Sequence, residues 1–491
     1  MGASAQDITL TARDGDLVID GVLLGYDGAY YRVESEFGEL TVDGSGVTCE
    51  GEACPDTDAF VAQATFSGAE TVGRVLMPPL IETYARRSGY DLDRRELDER
   101  SFVYTLRPVS EGGAAAVDLV FRLGTSAEGF ADIIADEADL AMSVREITTL
   151  EAGLAREAGR GDLTDPRRSR VLALDALVPI APAADARAAI SFDELRSISS
   201  GEGDGVTALH LPSSQTGLGE AFDRIVLNGN RQTQGVVRHF DGDALIAAVE
   251  SNRDAVGIVA LSALGDMRGL GILGACGTMS NATVESIKAE DYPLTVPVFL
   301  YAPARRLPDP VRRFIDYVMS PAAQDVVRGT GFVDQLPVEI PPAAHGERMI
   351  NAILQASDET NVADLRSMVR TLDGKSRLSI SFRFEDGSAD LDAQSRSNVL
   401  LLSQAIERGL FEGRTLSFVG FSDALGPASI NRRLSLRRAS TVRDAIETAL
   451  GGSVERDIDF ATEAFGEALP MACEDTDWGR RINRRVEVWL D

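Results

Sequence analysis

Gly420-Phe421-Ser422-Asp423-Ala424-Leu425-Gly426, followed by Asn431-Arg432-Arg433-Leu434-Ser435-Leu436-Arg437-Arg438-Ala439, decides how the C-terminal part of this chain folds. The apolar run from Leu416 to Val419 reads as a strand feeding a glycine-bracketed loop that carries one carboxylate. A helix is expected to start near Ala428, with Asn431 on its first turn and Arg438 two turns later. Asn431, Leu434 and Arg438 are spaced by three and four, so they share one helix face. Asp423 and Arg438 are therefore expected to converge on a single small partner. A carboxylate beside a guanidinium suits a zwitterion, meeting its ammonium and its carboxylate respectively.

The loop, the Asn-x-x-Leu-Ser-x-x-Arg-Ala helix and the later Gly479-Arg480-Arg481-Ile482-Asn483-Arg484-Arg485-Val486-Glu487 together resemble the OmpA C-terminal domain family. The resemblance covers about Leu378 to Leu490. It implies non-covalent binding of peptidoglycan through the free end of diaminopimelate in the stem peptide. By motif position Asp423 takes the ammonium and Arg438 the carboxylate, Asn431 bonds the peptide backbone, and Arg484 braces the loop. Ser422 stands where the family usually has Thr and keeps the hydroxyl. The bland alternative, a surface ion pair near a helix end, is worth little in itself.

Composition bounds the rest. A chain of 491 residues has room for several cores. Its 48 Lys and Arg against 77 Asp and Glu give a formal net charge of −29, which opposes nucleic-acid binding. No apolar run is long enough to span a bilayer. Ala3-Ser4-Ala5 resembles the tail of a signal cleavage site, so a trimmed secretory signal is expected. Of the four cysteines, Cys49 and Cys54 bracket a short acidic loop and are expected to form a disulfide. Cys276 and Cys473 lie in different expected domains; a bridge stays open, with buried thiols favoured.

Residues 1–58 read as a small β-rich module of short alternating strands broken by Asp-Gly pairs at Asp14-Gly15, Asp27-Gly28 and Asp43-Gly44. Tyr26, Tyr30 and Tyr31 are expected to pack across strands. From 59 to 342 strands alternate with helices, an α/β pattern. Four segments there are similar to the substrate-binding proteins of phosphate ABC transporters (PstS-like): Phe66 to Gly73, Gly124 to Phe130, Ala138 to Arg145, and Ser213 to Gly219. Three are Ser/Thr/Gly loops opening helices, where free backbone N–H groups favour an anion, although Ser and Thr are also ordinary caps. The resemblance implies a two-lobed domain closing on a ligand, with Glu70, Thr71, Ser126, Ser143, Arg145, His210, Ser214 and Thr216 lining the pocket.

Departures qualify that ligand. Ala69 lacks a hydroxyl and Glu70 adds negative charge. His210 stands in place of the usual Arg, and Pro212 replaces the Asp that accepts the proton of hydrogen phosphate. Arg145 is the replacement cation unless Glu146 or Asp139 takes it. A small anionic or mixed-charge ligand is expected, with phosphate one candidate and an empty pocket the alternative. Three scattered histidines and the absence of nucleophile-elbow, zinc or Walker motifs give no catalytic residue, metal or cofactor. Clusters at Asp91 to Asp93 and Glu96 to Arg100 read as solvated helix faces.

Residues 343–374 read as a helical connector with Leu365, Met368, Val369 and Leu372 at helical spacing. Residues 375–491 read as a βαβαβ sandwich. The expected whole is an α/β multidomain protein: β module, two-lobed periplasmic-binding-protein domain, connector, OmpA-like domain. It implies a Gram-negative periplasmic protein, associated with the outer membrane in one version, whose partners are the peptidoglycan stem peptide, a small anion and in one version an ABC transporter permease. The rival reading is a scaffold whose binding-protein part has lost its ligand.

Overall fold

A computed structural model describes residues 7–13, 15, 17–57, 60–109, 116–202, 208–227, 235–354, 356, 362–385, 388–451, 457–474 and 476–491. The cleavage-like Ala3-Ser4-Ala5, Asp14 and the expected boundary at 58/59 lie outside those residues. The chain forms two compact units: Met1–Met142, Ile147–Leu163 and Tyr301–Val326 make the first, and Ser143–Glu146, Thr164–Leu300 and Val327–Asp491 the second.

In the first unit, five antiparallel strands build the N-terminal sheet in the order Gly38–Asp43, Tyr30–Ser35, Val18–Tyr26, Ile8–Ala12, Val47–Glu50. Its small core is Ile8, Leu10, Tyr31, Val33 and Val47, closed by the Cys49–Cys54 disulfide. Tyr26 packs against Tyr31 at 4.6 Å between ring centroids, while Tyr30 lies under the Arg306 guanidinium at 4.0 Å. The same Arg306 pairs with Asp27 at 3.0 Å, tying the sheet to the α/β layer of this unit.

That layer has Leu140–Ser143, Ala62–Ala69 and Val117–Gly124 in parallel, followed by antiparallel Ser101–Pro108 and Tyr90–Asp98. The charged stretch expected as a helix face is thus an edge strand. Residues 93–98 are all exposed there, and charge along an edge deters pairing with another chain.

In the second unit, Val236–His239, Ala208–Pro212, Ala255–Ala260, Ser169–Ile180 and Thr295–Tyr301 neighbour one another in that order. The C-terminal sheet runs Glu339–Ile340, Ser376–Phe382, Val486–Leu490, Arg414–Phe421, Ile458–Gly466, adding two edge strands, Glu339–Ile340 and Ile458–Gly466, to the expected three-stranded pattern, and a short helix, Asp477–Asn483, before the last strand. Helices Ala393–Glu407 and Ala428–Ala449 cover one face through Val399, Leu402, Ala439, Val442 and Ile446. The other face takes the connector helices Gly346–Leu354 and Val362–Leu372 through Ala352, Met368 and Leu372, against Val419, Phe421 and Trp489. Val369, grouped with the docking residues from its spacing, is 45% exposed.

Buried charge joins this sheet to the α/β layer of the same unit. Arg377 is 1% exposed, forks onto Asp291 and lies 3.4 Å from Glu487. Burial alone would raise the Glu487 carboxyl, yet Arg348, Arg377 and Arg485 hold it well below its ordinary value. Arg383 donates to the Glu290 carbonyl at 2.6 Å. Cys276 and Cys473 are bonded, correcting the expectation of thiols, with Cα atoms 5.5 Å apart. Gly274 permits the approach: a Cβ there would lie 2.4 Å from the Cys473 sulfur.

Burial pushes the Glu290 carboxyl up to about 8, with Arg383 opposing and Asp392 and Glu146 adding to the rise. Glu146, beside Asp392, is pushed up to about 7 by burial. Between the ordinary value of 4.5 and about 8 the folded chain keeps a Glu290 proton that the unfolded chain has released. Stability therefore falls as pH rises through that window. Glu290→Gln is expected to narrow the difference in Tm between pH 5 and pH 8 by about 5 °C. Identical pH profiles for wild type and variant in thermal melts would contradict this.

Candidate functional site

The Asp423 loop exists because the long helix Ala428–Ala449 comes down onto the end of strand Arg414–Phe421. Gly420 is the point of contact: a Cβ there would meet the Ser435 carbonyl oxygen at 2.0 Å. Gly426, at φ +88°, turns the loop back toward the helix. The helix starts at Ala428 behind Pro427, so Asn431 falls on its first turn, as the sequence spacing requires.

Asp423 is 6% exposed and accepts from Arg484 Nη1 at 2.8 Å. Arg438 is half-buried, with its guanidinium 5.3 Å from the centre of the Phe384 ring. Burial, reinforced by Arg484, lowers the Arg438 pKa, while the Asp423 charge opposes. Among the described residues Arg438 Nη1 is buried without a hydrogen-bond partner. A buried donor of that kind is costly unless something occupies it. Ser422 is buried and its N–H donates to the Gly466 carbonyl at 2.8 Å. Leu434 is 43% exposed, one step round the helix from the buried Asn431 and Ser435.

Asn431 is only 2% exposed, and its amide donates to the Gly426 carbonyl (3.3 Å) and to Glu467 (3.2 Å). It closes the loop from inside. Two acids the sequence reading missed complete the surroundings. Glu467 holds Asn431; Glu474 accepts the Ala424 N–H at 2.8 Å and an Asn483 N–H at 3.0 Å. Burial raises the Glu474 pKa. Both acids stand beyond the recognisable loop-and-helix motif, so only the fold reveals their proximity. The assembly can present a positive fork and a negative carboxylate to one zwitterionic end.

The residues expected to hold a small anion are divided between the units. In the first, Glu70 pairs with Arg74 at 2.6 Å, and Thr71 makes no capping bond to the turn Val72–Leu76. Ser126 is buried at the first position of helix Ser126–Ala135, whose cap is Thr125. In the second, Arg145 pairs with Glu220 at 2.7 Å and donates to the Glu146 backbone carbonyl at 3.0 Å. The Ser143 hydroxyl donates to the Arg145 carbonyl at 2.7 Å. Thr216 caps helix Gly217–Phe222, accepting from the Gly219 N–H and donating to the Ser213 carbonyl. Ser214 is exposed. His210 Nδ1 lies 2.8 Å from His239 Nε2, and burial lowers both pKa values, so the pair carries little charge near neutrality.

Residues 383–484 match the family described as the OmpA family, which places an OmpA domain at the C-terminus. Outer membrane porin F of Pseudomonas aeruginosa is 28% identical over 115 residues, 23% of this chain and 31% of that protein. The putative lipoprotein YfiB of Escherichia coli is 42% identical over 69 residues, 14% of this chain and 41% of that protein. The chain thus spans less than half the length of either relative. A solved ABC-type phosphate transport receptor from Vibrio cholerae aligns with 55% of this chain and 99% of its own, at 18% identity and a TM-score of 0.42.

Proposed function

We propose that this chain, with its OmpA domain at 383–484, is a cell-envelope protein of a Gram-negative bacterium that holds peptidoglycan non-covalently. Asp423 receives the ammonium of a diaminopimelate side-chain end and Arg438 its carboxylate, while Arg484 keeps Asp423 in place. The observation that carries this reading is the buried Arg438 Nη1 without a partner, in a site where Asp423 is already braced at 2.8 Å. A carboxylate arriving there supplies the missing acceptor through a charge-assisted bond. Co-sedimentation of the full chain with purified sacculi tests the proposal, with free diaminopimelate as competitor. Failure to sediment, or sedimentation that the amino acid leaves untouched, would overturn it.

The binding-protein part supports two readings. In one it takes a small anion such as phosphate, directly or for a transporter. In the other it is a scaffold without a ligand, favoured by the ion pairs Arg145–Glu220 and Glu70–Arg74, which satisfy within the protein the charges expected to act on a ligand. Calorimetry with phosphate, sulfate and small carboxylates separates them. Saturable heat that falls at least about tenfold in affinity with Ser214→Ala supports binding. Thr216→Ala is the companion variant, with about 1 kcal/mol of its effect set aside for the lost helix cap. No heat with any of the anions supports the scaffold.

A further inference from the structure

A cleft of about 340 Å³ opens within the second unit, apart from the Asp423 site. Phe192, Leu273, Thr278, Cys473, Thr476 and Trp478 are among the residues that line it. Phe192 and Trp478 meet edge to face with ring centroids 5.8 Å apart, forming an aromatic corner. Its volume falls in the range of small-ligand sites. The polar groups are hydroxyls and acids, Ser191, Thr278, Ser280 and Thr476 with Asp193 and Glu194, and among the described lining residues there is no Lys or Arg. Asp193 pairs with Arg196 at 3.0 Å and one Glu194 oxygen accepts from Ser191, which leaves the lining polar with little net charge to attract an ion. An aromatic face beside hydroxyls and carboxylate acceptors suits a neutral, hydroxyl-bearing ring with an apolar flank.

The cleft also adjoins the proposed peptide grip. Cys473 forms part of its wall, and the next residue, Glu474, holds the Ala424 N–H of the Asp423 loop at 2.8 Å. A stem peptide of two or three residues reaches about 10 Å when extended, the reach available to a wall fragment that offers a sugar to the cleft and a peptide end to the grip. We propose that this cleft is a carbohydrate subsite for the N-acetylhexosamine rings of the peptidoglycan glycan strand. The choice of glycan rests on the peptidoglycan reading above. The cleft is composite: Phe192, Leu273 and Thr278 precede the OmpA domain in the chain, so that domain alone has no complete site.

The test titrates the full chain with triacetylchitotriose, a peptide-free oligomer of N-acetylglucosamine, following tryptophan emission and heat. Of the two tryptophans, Trp489 is 1% exposed in the core and Trp478 lines the cleft, so emission reports on the cleft. Saturable binding is expected, weakened about tenfold by calorimetry in Phe192→Ala and in Trp478→Ala. Asp423→Ala, which removes the peptide grip, is expected to leave sugar binding unchanged. The two proposals therefore fail separately: sedimentation lost in Asp423→Ala with sugar binding intact concerns the grip, and sugar binding by the full chain concerns the cleft. No saturable response to the sugar, or one equal in wild type and both aromatic variants, would overturn the subsite. So would binding of an apolar dye in the cleft without binding of the sugar.

Discussion

Arg438→Ala brings co-sedimentation with peptidoglycan down to background, and Asp423→Ala does the same. Each removes one member of the pair proposed to meet the zwitterionic end of the stem peptide. Truncating one partner of a desolvated, hydrogen-bonded charge pair costs about 2–5 kcal/mol, which is on the order of a hundredfold in affinity or more. Arg438→Lys keeps the charge and loses the planar fork, so its sedimentation should fall between wild type and alanine. Arg438→Ala also relieves a buried guanidinium whose Nη1 has no partner, so its Tm should stay near wild type or rise. Sedimentation of both alanine variants at the wild-type level would remove the grip from consideration.

Arg377→Ala is expected to destabilise the second unit by about 3–5 kcal/mol, the cost of leaving the buried Asp291 without its forked partner. Asp291 and Glu487 both face that guanidinium, and Glu487 has 0% side-chain exposure. Arg377→Met is the informative companion, because it fills the volume and still removes the forked partner of Asp291, while Glu487 keeps Arg348 and Arg485; it should lose nearly as much. A double variant with Asp291→Asn should recover part of the loss if the unpaired charge causes it. Denaturant melts reading a change of less than about 1 kcal/mol for Arg377→Ala would contradict this account.

The C-terminal site was the most legible part of the chain, for a local reason. Loop, helix start and brace lie in short motifs, so the spacing Asn431, Leu434, Arg438 and the position of Arg484 could be read directly. The structure adds that Asp423 pairs with Arg484 and leaves Arg438 open. Long-range partners were not legible. Arg145 and Glu220 are 75 positions apart, and nothing in the pattern of either segment announces the other. Glu487 sits in a strand of alternating type, where a charge ordinarily marks the solvent face, yet neighbouring arginines make its burial tolerable. Tyr90–Asp98 carries charge on both faces of an edge strand, which removes the period-two signal and let it pass for a helix. Cys276 and Cys473 meet only because Gly274 lacks a side chain.

The Cys276–Cys473 bond spans 197 positions and enters the OmpA domain one residue before Glu474. If the proposed grip holds the wall, a pull on the Asp423 loop reaches this covalent tether through one hydrogen bond, Ala424 N–H to Glu474, and the peptide link from Glu474 to Cys473. The tether leads on into Gly274–Thr278, a segment that lies outside both the OmpA match and the connector helices, so the grip would be stapled to the preceding layer by a second covalent route.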